Sequence, residues 1–436
     1  MNVHNDQTKP PDLSIVIPAL NERDNLELLL PAVKDIVGAL GVKAEILVVD
    51  GGSTDGTPEA VARAGARVVL QKERGYGGAL MAGFEVATAP YLVTMDADLS
   101  HRPLFLQEFW RRRHEAEVLI ASRYVPEGRA EMSWFRRVLS QILNRTYSRV
   151  LALPLRDLSS GFRMYQRRVL EVCRPLARDF DVLEEILIRV DAAGWRIREV
   201  PFRYMARGSG RSHARLFKFG LAFLRTLGRM WRLRNSVEAA DYDYRAFDSP
   251  IWLQRYWQRT RHKIILEMVE KREALLDIGC GSSRIILDLP AGIGMDVLCY
   301  KVRWLHWRHS RVVQGDCNQL PFPAESFDTV INSQVIEHIP KTGEVFTEMW
   351  RVLRPGGILI LGTPDYGRWL WWALEWIYGK VLPGAYAHQH ITHFTREGLK
   401  AELESLGFEV LACRYVGFCE MVFKARKPVS QEQRLA

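Results

Sequence analysis

The sequence predicts two α/β domains, and the main reason is a pair of apolar runs that each end in acidic residues. Tyr91–His101 reads YLVTMDADLSH and contains Asp96 and Asp98, whereas Leu275–Gly281 reads LLDIGCG and contains Asp277 before a glycine turn. Strand and helix patterns alternate around both runs, which favours sheets of parallel strands covered by helices. A chain of 436 residues is long enough for two such domains.

In the first half, short apolar runs predict buried strands, and amphipathic stretches between them predict helices. The predicted strands are Ser14–Pro18, Glu45–Asp50, Arg67–Leu70 and Tyr91–Asp96, and the clearest helices are Asp24–Leu40 and Gly78–Ala87. Ligands of such folds bind at the carboxyl ends of the strands. Acidic residues at these ends are therefore candidate site residues.

The second half repeats this alternation. Its predicted strands are Ala274–Ile278, Gly292–Asp296, Arg311–Val313, Asp328–Asn332 and Gly357–Gly362. Between the halves, the polar and acidic stretch Val237–Ser249 precedes Pro250 and predicts a linker. We therefore expect one domain at residues 1–236, a linker at residues 237–262 and a second domain at residues 263–436.

Composition narrows the partners and the compartment. The formal net charge of +9 indicates an anionic partner, such as a nucleic acid, a phosphorylated substrate or a membrane surface. The six cysteines include no Cys-x-x-Cys pair, which favours a reducing cytosol. The amino terminus has no apolar signal core, and no uncharged apolar run approaches the ~18 residues of a membrane span. We expect a cytoplasmic protein.

Asp96 and Asp98 form a candidate cation site. Residues two apart in an extended segment point to the same face, so both carboxylates can approach one ion. Oxygen ligands suit Mg²⁺ or Mn²⁺, which can also bridge to phosphate oxygens. Asp50 ends a neighbouring predicted strand and could accept hydrogen bonds from a base or a ribose. The alternatives are a solvated Asp-x-Asp loop for the pair and a strand-end cap for Asp50.

Seven motifs in order carry a resemblance over the first half. They are Ile15–Glu22 (IVIPALNE), Val48–Thr57 (VVDGGSTDGT), Arg74–Leu80 (RGYGGAL), Met95–His101 (MDADLSH), Ser122–Tyr124 (SRY), Ser159–Tyr165 (SSGFRMY) and Val200–Ser212 (VPFRYMARGSGRS). This set resembles glycosyltransferase family 2, and most closely the polyprenyl-phosphate sugar transferases, which include the dolichol-phosphate mannose synthases. The resemblance implies a GT-A-like domain that uses a nucleotide-sugar donor.

The resemblance also implies roles for individual residues. Pro18, Glu22 and Asp50 would line the nucleotide pocket, and Asp96 and Asp98 would bind the metal and the donor diphosphate. Three arginines match positions of phosphate-binding cations, and the alternative for each of them is a surface salt bridge; they are Arg123, Arg137 and Arg207.

The acceptor decides whether the reaction needs a general base. A lipid phosphate is already an anion and needs no strong base, whereas a sugar hydroxyl would need one. Glu184 and Glu185 are candidates for that base, and the alternative is an exposed helix acid with a buried neighbour. No Gln-x-x-Arg-Trp motif follows the Asp-x-Asp region, which favours a single sugar transfer. By its resemblance to the mannose synthases, the sequence of the Met95–His101 motif favours GDP-mannose over UDP-glucose as the sugar donor.

A basic stretch at about residues 211–234 predicts an amphipathic helix. Cations recur on one face at helical spacing, namely at Arg211, Arg215, Lys218, Arg225, Arg229 and Arg232. The opposite side carries Leu216, Phe223, Leu227, Met230 and Trp231. This pattern is typical of a helix that lies on anionic lipid, and its alternative is a core helix with a solvated basic face. We expect peripheral attachment at the inner face of the membrane and no nucleic-acid binding.

The second site begins at Asp277, Gly279 and Gly281, and Asp296 ends the next predicted strand. Taken alone, this pattern also fits a dinucleotide enzyme. It continues with Gly315–Cys317 (GDC), Leu320–Ile339 (LPFPAESFDTVINSQVIEHI) and Trp350–Pro364 (WRVLRPGGILILGTP). The complete set resembles the class I S-adenosylmethionine-dependent methyltransferases that act on small molecules.

That resemblance implies a cofactor site for S-adenosylmethionine. Asp277, Gly279 and Gly281 would carry the methionine moiety, Asp296 the ribose, and Asp316 with its neighbour Cys317 the adenine edge. A loop cap is the alternative for Asp316. Ser283 stands where many relatives have a third glycine, and Leu289-Pro290 predicts a short helix there.

The methyl acceptor would lie near a group of histidines and tryptophans. The candidate bases are His338, His388, His390 and His393. The stretch Ala387–Phe394 could also contact a metal, and the alternative for its histidines is packing or capping. An insertion carries Trp369, Trp371, Trp372 and Trp376, which could form a lid, a substrate pocket, a membrane-facing patch or a plain core helix. Methyl transfer needs an aligned acceptor more than it needs a base.

These observations together predict a bifunctional enzyme. Its first domain would transfer a sugar to a polyprenyl-phosphate-like lipid, and its second would methylate a related product. The rival hypothesis is a soluble glycosyltransferase that acts on a sugar hydroxyl, with the second domain as a scaffold. The sequence predicts neither the methyl acceptor nor the oligomeric state.

Overall fold

The structure, a computed structural model, describes residues 10–205, 216–340, 343–381 and 390–429. The chain divides into two compact units. The first comprises Met1–Asp191 and Trp195–Trp231, and the second comprises Ala192–Gly194 and Arg232–Ala436. Each unit contains a seven-stranded sheet, so the predicted class of two α/β domains is confirmed.

The strands and helices of the first unit alternate as the sequence predicts. In chain order they are β1 (Leu13–Ala19), α1 (Arg23–Ala39), β2 (Ala44–Asp50), α2 (Thr57–Arg63), β3 (Arg67–Leu70), α3 (Tyr76–Val86), β4 (Tyr91–Thr94), α4 (Phe105–Arg112), β5 (Val118–Ser122), β6 (Arg129–Ala130), α5 (Trp134–Val150), β7 (Arg163–Gln166), α6 (Arg167–Glu171), α7 (Val182–Ala192), β8 (Ile197–Pro201), β9 (Arg203–Tyr204) and α8 (Leu216–Arg234).

The topology of the first sheet gathers the candidate residues at one edge. The strand order is β3-β2-β1-β4-β7-β5-β8, with β1 to β4 parallel and β7 antiparallel to both of its neighbours. Ala19 lies opposite Asp50, and Val16 lies opposite Thr94, so β1, β2 and β4 end close together. Apolar side chains of β1 and β2 pack on the buried face of α1, which carries Leu26, Leu29, Leu30 and Val33 at helical spacing.

The second unit contains the remaining elements. They are α9 (Tyr242–Ala246), α10 (Trp252–Met268), β10 (Leu275–Ile278), α11 (Arg284–Leu287), β11 (Ile293–Asp296), α12 (Cys299–His306), β12 (Val312–Gln314), β13 (Phe327–Ser333), a 3₁₀ turn (Ile336–His338), α13 (Glu344–Val352), β14 (Leu353–Pro364), α14 (Trp369–Val381), α15 (Arg396–Ser405), β15 (Glu409–Val416) and β16 (Glu420–Arg426).

The second sheet has the order β12-β11-β10-β13-β14-β16-β15. The first five strands are parallel, and β16 is antiparallel to β14 and β15. The five predicted strands are present, and α11 has only four residues, as Leu289-Pro290 predicts. The Ser283 hydroxyl caps α11 by accepting a hydrogen bond from the Ile285 amide at 3.1 Å.

Residues 237–262 differ from the predicted linker because they carry α9 and most of α10 and belong to the second unit. The cause is a set of contacts to Glu420, which begins β16 and is fully buried. Arg261 forms two 2.6 Å bonds to its carboxylate, and the Trp257 indole N–H donates to the same group. The polar residues at the start of this stretch indicated a linker, but the aromatic and basic residues that follow form a helix that packs on the sheet.

Helix α8 contains the described part of the predicted basic helix. Its cationic face is divided, because Arg225 and Arg232 are exposed whereas Arg229 donates to the buried carboxylate of Glu185 at 2.7 Å. Met230 is buried on the other side. Arg211 and Arg215 lie outside the described residues. Among the described helices, none combines the length and apolar character that crossing a membrane requires.

Candidate functional sites

Asp50 lies at the end of β2 and is almost completely buried. Its carboxylate accepts hydrogen bonds from the amide of Gly52 at 3.1 Å and from the amide of Ser53 at 3.1 and 3.3 Å. It therefore holds the turn after β2 in the way expected of a strand-end cap. Gly52 has a φ of 92°, which this turn requires and which favours glycine.

The loops after β1 and β2 are bound to each other beside Asp50. Asn21 donates its amide to the Ser53 hydroxyl at 2.8 Å and accepts from the Thr54 amide at 2.9 Å. The amide of Glu22 donates to the Thr57 hydroxyl at 3.1 Å. Pro18 is half-buried at the end of β1, so the residues predicted for the nucleotide pocket share one edge of the sheet. Asn21 is part of the Ile15–Glu22 motif, but nothing in the sequence indicated that it would join the two loops.

Asp96 and Asp98 follow β4 and have different surroundings. Asp98 is buried, and its Oδ1 accepts from the Ser100 amide at 3.1 Å and from the Ser100 hydroxyl. Asp96 keeps 29% of its side chain exposed. Its Oδ1 accepts from the Tyr76 hydroxyl at 3.0 Å, and its amide donates to Nδ1 of His101 at 2.9 Å. The sequence analysis gave no role to Tyr76 or His101. The signal that could have indicated Tyr76 is its place as the one aromatic residue in the glycine-rich motif Arg74–Leu80.

The three predicted phosphate-binding arginines have different environments. Arg123 forms a bidentate ion pair with buried Asp157, with bonds of 2.8 and 2.6 Å, and also donates to the Ser159 hydroxyl. Its charge therefore organises the loop before β7. Arg137 is exposed on α5 and donates to the backbone oxygen of Ala130 at 2.5 Å. Arg207 lies outside the described residues.

Glu184 and Glu185 are both buried on α7, but their contacts are opposite. Glu185 accepts from the amides of Leu176 and Ala177 and pairs with Arg189 and Arg229, at 2.7 to 3.1 Å. These are the contacts of a structural acid. Neither carboxylate oxygen of Glu184 has a hydrogen-bond partner among the described residues, and burial raises its pKa to about 8.

Helix α5 turns polar side chains inward and large apolar side chains outward, the reverse of an ordinary surface helix. The sequence analysis did not predict this feature. Its inward side carries the polar residues Asn144 and Tyr147, which bond to the Leu158 amide and to the Phe223 carbonyl. Its outward side carries large apolar side chains, namely Trp134 (76% exposed), Phe135 (60%), Leu139 and Ile142. Arg145 and Arg149 are exposed on the same helix.

The second unit contains a cavity of about 600 Å³ at the carboxyl ends of β10 and β11. Asp277, Gly279, Gly281 and Asp296 line it. Gly279 has a φ of 68°, and a Cβ there would lie 2.2 Å from Val335. A Cβ on Gly281 would lie 2.7 Å from the carboxylate of Asp243. A Cβ at either position would force a neighbouring side chain to move, and both residues have a positive φ that favours glycine, so backbone forms this wall of the cavity.

The acids of this cavity are buried. Asp296 accepts from the amides of Gly281 and Leu298, both at 2.8 Å, and burial raises its pKa. Asp277 is 2% exposed, and its Oδ2 has no partner among the described residues. Burial, followed by the charge of Asp296, raises the pKa of Asp277 to about 8.

Asp316 and Cys317 line the same cavity beyond β12. Asp316 is exposed and accepts from the amide and the side chain of Asn318 at 2.9 and 2.8 Å, as a loop cap does. Burial, with Asp316 next in effect, raises the pKa of the Cys317 thiol to about 11. The thiol is therefore neutral near pH 7 and offers a weakly polar surface.

The other end of the cavity carries histidines and aromatic residues. His338, Trp371 and His390 line it, whereas His393 stacks on Tyr366 with ring centroids 4.0 Å apart. Trp369, Trp372 and Trp376 are exposed on α14. His388 lies outside the described residues. Two of the three predicted histidines that the structure describes therefore line the cavity.

Comparisons with known proteins match each half of the chain to a different family of transferases. The model of glycosyl transferase family 2 matches residues 14–174, and a methyltransferase domain model matches residues 276–361. The chain is 32% identical over 200 residues to uncharacterized glycosyltransferases of Mycobacterium bovis and Mycobacterium tuberculosis, covering 46% of this chain and 88% of each relative. The chain therefore belongs to glycosyltransferase family 2. It is an enzyme that joins this domain to a methyltransferase domain.

Solved structures resemble each unit at low identity. Glucosyl-3-phosphoglycerate synthase of Mycobacterium tuberculosis, solved with Mn²⁺, UDP-glucose and phosphoglyceric acid, is 22% identical with a TM-score of 0.41 over 51% of this chain and 80% of that one. An S-adenosylmethionine-dependent methyltransferase of Thermotoga maritima, a possible histamine N-methyltransferase, is 21% identical with a TM-score of 0.37 over 42% of this chain and 94% of that one.

Proposed function

We propose that the first unit transfers one sugar from a nucleotide-sugar donor, of the GDP-mannose or UDP-glucose type, to a polyprenyl-phosphate-like lipid. We propose that the second unit uses S-adenosylmethionine to methylate a hydroxyl of a related sugar product. The protein would act at the inner, cytoplasmic face of the membrane without crossing it. Helix α5 is the observation that carries the lipid part of this proposal.

The exposed apolar side of α5 is costly in water. Each square ångström of apolar surface costs roughly 25 cal/mol when it is exposed, so Trp134 and Phe135 would gain several kcal/mol by entering a lipid interface. Arg145 and Arg149 on the same helix would add roughly 1 kcal/mol each near anionic headgroups. A helix that turns its polar side inward and its apolar side outward fits a bilayer surface better than it fits bulk water.

The two glutamates on α7 support a phosphate acceptor. A hydroxyl acceptor would require a basic, accessible carboxylate. Glu185 is fully engaged by its own fold, and Glu184 is buried with a pKa of about 8, so it is mostly protonated at neutral pH. A lipid phosphate already carries the negative charge that attacks the sugar. A lipid phosphate therefore needs neither Glu184 nor Glu185 as a general base.

Asp96 and Asp98 would hold a divalent cation. Their oxygen donors at the end of β4 are the ligands that Mg²⁺ and Mn²⁺ prefer, and Asp96 is partly open to solvent. A cation bound there would offset the charge of the departing nucleoside diphosphate. Tyr76 and His101 would keep the Asp96 segment in place, since both bond to it.

The large cavity fits S-adenosylmethionine. Its glycine wall admits a close ligand, and its volume lies in the usual range for cofactor sites. Asp277 has an orphaned, buried acceptor oxygen that an ammonium group would satisfy. Asp296 and Asp316 would meet the ribose and the adenine edge. The cofactor would supply an electrophilic methyl group, and the chain's residues would position the acceptor.

Sedimentation with liposomes tests the membrane part. The double variant Leu139→Ser, Ile142→Ser should bind vesicles of phosphatidylcholine and phosphatidylglycerol at least ten-fold more weakly than the parent chain, because it loses apolar contact area. Leu28→Ser is the matched control, since Leu28 is also an exposed leucine of the first unit but lies on α1. Equal binding by the double variant and the parent chain would remove α5 from the proposal.

Turnover assays test the acceptor. Labelled GDP-mannose and UDP-glucose would be incubated with either polyprenyl phosphate or free sugars, with Mg²⁺ or Mn²⁺ present. We expect label in the lipid phase only, and loss of that label in Asp96→Asn and Asp98→Asn. Transfer to free sugars at a higher rate than to lipid would favour the soluble glycosyltransferase instead.

A further inference from the structure

Three residues at the acceptor end of the second unit's cavity lie in an arrangement typical of a metal site. Glu337 and His338 belong to the 3₁₀ turn after β13, and His390 comes from the segment after α14. Each can offer one ligand atom, and these atoms all lie within 4.8 Å of one another. The ring centroids of His338 and His390 are 4.9 Å apart, and both residues line the cavity.

The surroundings of His390 prepare one ring nitrogen for a cation. Its Nδ1 lies 3.0 Å from Oε1 of Glu375, whose carboxylate is largely buried. The Tyr366 hydroxyl lies 2.7 Å from the same nitrogen and 3.3 Å from both oxygens of Glu375. An ionised carboxylate can only accept, so Nδ1 carries a proton and Nε2 keeps its lone pair. Metal-binding histidines are usually held in this way.

Glu337 supplies an independent observation. Its side chain is fully buried, and its Oε1 has no hydrogen-bond partner among the described residues. Its Oε2 accepts a hydrogen bond from the Thr363 hydroxyl at 3.0 Å. A buried carboxylate oxygen without a hydrogen-bond partner is unfavourable, because it has lost its contact with water and gained no other. A cation beside the two imidazoles would satisfy it.

We propose that Glu337, His338 and His390 bind a divalent first-row transition-metal ion, and that this ion holds a hydroxyl of the methyl acceptor. Two imidazole nitrogens with one carboxylate oxygen suit ions such as Zn²⁺ or Mn²⁺ better than Mg²⁺. A hydroxyl on such an ion has a lowered pKa, which makes its oxygen a better methyl acceptor. The role in methylation rests on the function proposed for this unit, whereas the metal site itself does not.

The observed spacing requires a small movement on binding. Two ligand atoms that each lie about 2.0–2.2 Å from one ion are at most roughly 4.4 Å apart. The three ligand atoms here lie within 4.8 Å of one another, which is slightly more. Rotation of the His338 and Glu337 side chains can close this gap, while Glu375 and Tyr366 keep His390 in place. His390 is therefore the fixed ligand, and Glu375 is a positioning residue.

Calorimetric titration with ZnCl₂ or MnCl₂ alone tests the site in the full chain after chelator treatment. The background variant Asp96→Asn, Asp98→Asn removes the cation site proposed for the first unit. In that background we expect about one ion per chain for at least one metal, and at least 100-fold weaker binding after His338→Ala or His390→Ala. Glu375→Gln should weaken binding roughly 10- to 100-fold while leaving all three ligands in place.

His306→Ala is the matched control, because His306 is an exposed histidine of the same unit outside the cavity lining. It should bind metal as the background variant does. Absence of binding for both metals in the background variant, or full binding after both His338→Ala and His390→Ala, would overturn the proposal. S-adenosylmethionine titration of the background variant without metal should show the affinity of the parent chain, so a failure of cofactor binding there would count against the methyltransferase function separately.

Discussion

The acids at the two sites differ in how far their own fold satisfies them. Asp50 and Asp98 in the first unit accept hydrogen bonds from the backbone of the turns that follow them. Asp277 in the second unit is just as buried, but its Oδ2 has no partner among the described residues. The first site is thus shaped before a ligand arrives, whereas the second contains an acceptor that a ligand must complete.

The difference has an energetic consequence. An unsatisfied buried acceptor costs roughly 1–3 kcal/mol, so the second unit gives up stability to keep Asp277 available. A ligand that donates to this oxygen recovers that free energy and stabilises the unit in proportion to its binding. The comparison predicts that S-adenosylmethionine stabilises the second unit strongly, and that a nucleotide sugar has a smaller effect on the first.

The largest effect is expected from Gly279→Ala. The new Cβ would lie 2.2 Å from Val335 at a φ of 68°, so the glycine wall must move. We expect S-adenosylmethionine affinity to fall more than 100-fold in calorimetric titration, with a loss of about 3 kcal/mol in the unfolding free energy of the unit.

Gly343→Ala separates the clash from the backbone strain. Gly343 has a φ of 75°, but nothing lies within 4 Å of its Cβ position. This variant should lose about 1 kcal/mol of stability and keep its cofactor affinity. If Gly279→Ala binds S-adenosylmethionine as well as Gly343→Ala does, the glycine wall is not part of the cofactor site.

The same contrast between satisfied and orphaned acids appears within α7, and it predicts the next largest effect. Glu185→Gln breaks a buried network with Arg189 and Arg229 and should cost about 3 kcal/mol of unfolding free energy. Glu184→Gln, its neighbour, should cost about 1 kcal/mol or less at pH 7, because Glu184 is mostly neutral there. Chemical denaturation of both variants measures the difference, and equal losses would contradict it.

Asp277 predicts a proton linkage. Its folded pKa of about 8 lies above the ordinary value of 3.8, so the acid binds a proton more tightly when folded. It therefore contributes stability that is fully present below pH 4 and is lost as the pH rises towards 8. An ammonium group favours the ionised form, so S-adenosylmethionine affinity should rise over the same interval, up to about pH 8.

Calorimetry in two buffers of different ionisation enthalpy measures this linkage at pH 7. We expect release of nearly one proton per S-adenosylmethionine in the parent chain and nearly none in Asp277→Asn, with about 10- to 100-fold weaker binding in the variant. Equal proton release in the two proteins would show that Asp277 does not meet the charged end of the cofactor.

The sequence was sufficient for elements whose signal is local. Short apolar runs that end in acids or glycines predicted β1 to β4 and β10 to β14 to within a few residues, and Leu289-Pro290 predicted the short α11, whereas β5 to β9, β15 and β16 were not predicted. Contacts between distant residues left no such signal. The pairing of α10 with Glu420, the burial of Arg123 by Asp157 and the reverse amphipathicity of α5 depend on which face of an element meets the sheet. Periodicity gives a helix two faces but does not say which one is buried.

The smallest effect is expected at Tyr76, where the first site has its own support. Tyr76→Phe removes the 3.0 Å hydrogen bond to Asp96 but keeps the ring stacked on Phe180 at 4.6 Å. Asp96 then gains rotational freedom, so Mn²⁺ affinity should fall only about two- to five-fold, well below the loss in Asp96→Asn. Mn²⁺ binding in the His390→Ala background, followed by electron paramagnetic resonance, measures both. If Tyr76→Phe lost as much Mn²⁺ affinity as Asp96→Asn, the first site would depend on a single hydrogen bond to Asp96. Its acids would then be no better satisfied by their own fold than those of the second site, and the contrast between the two sites would be wrong.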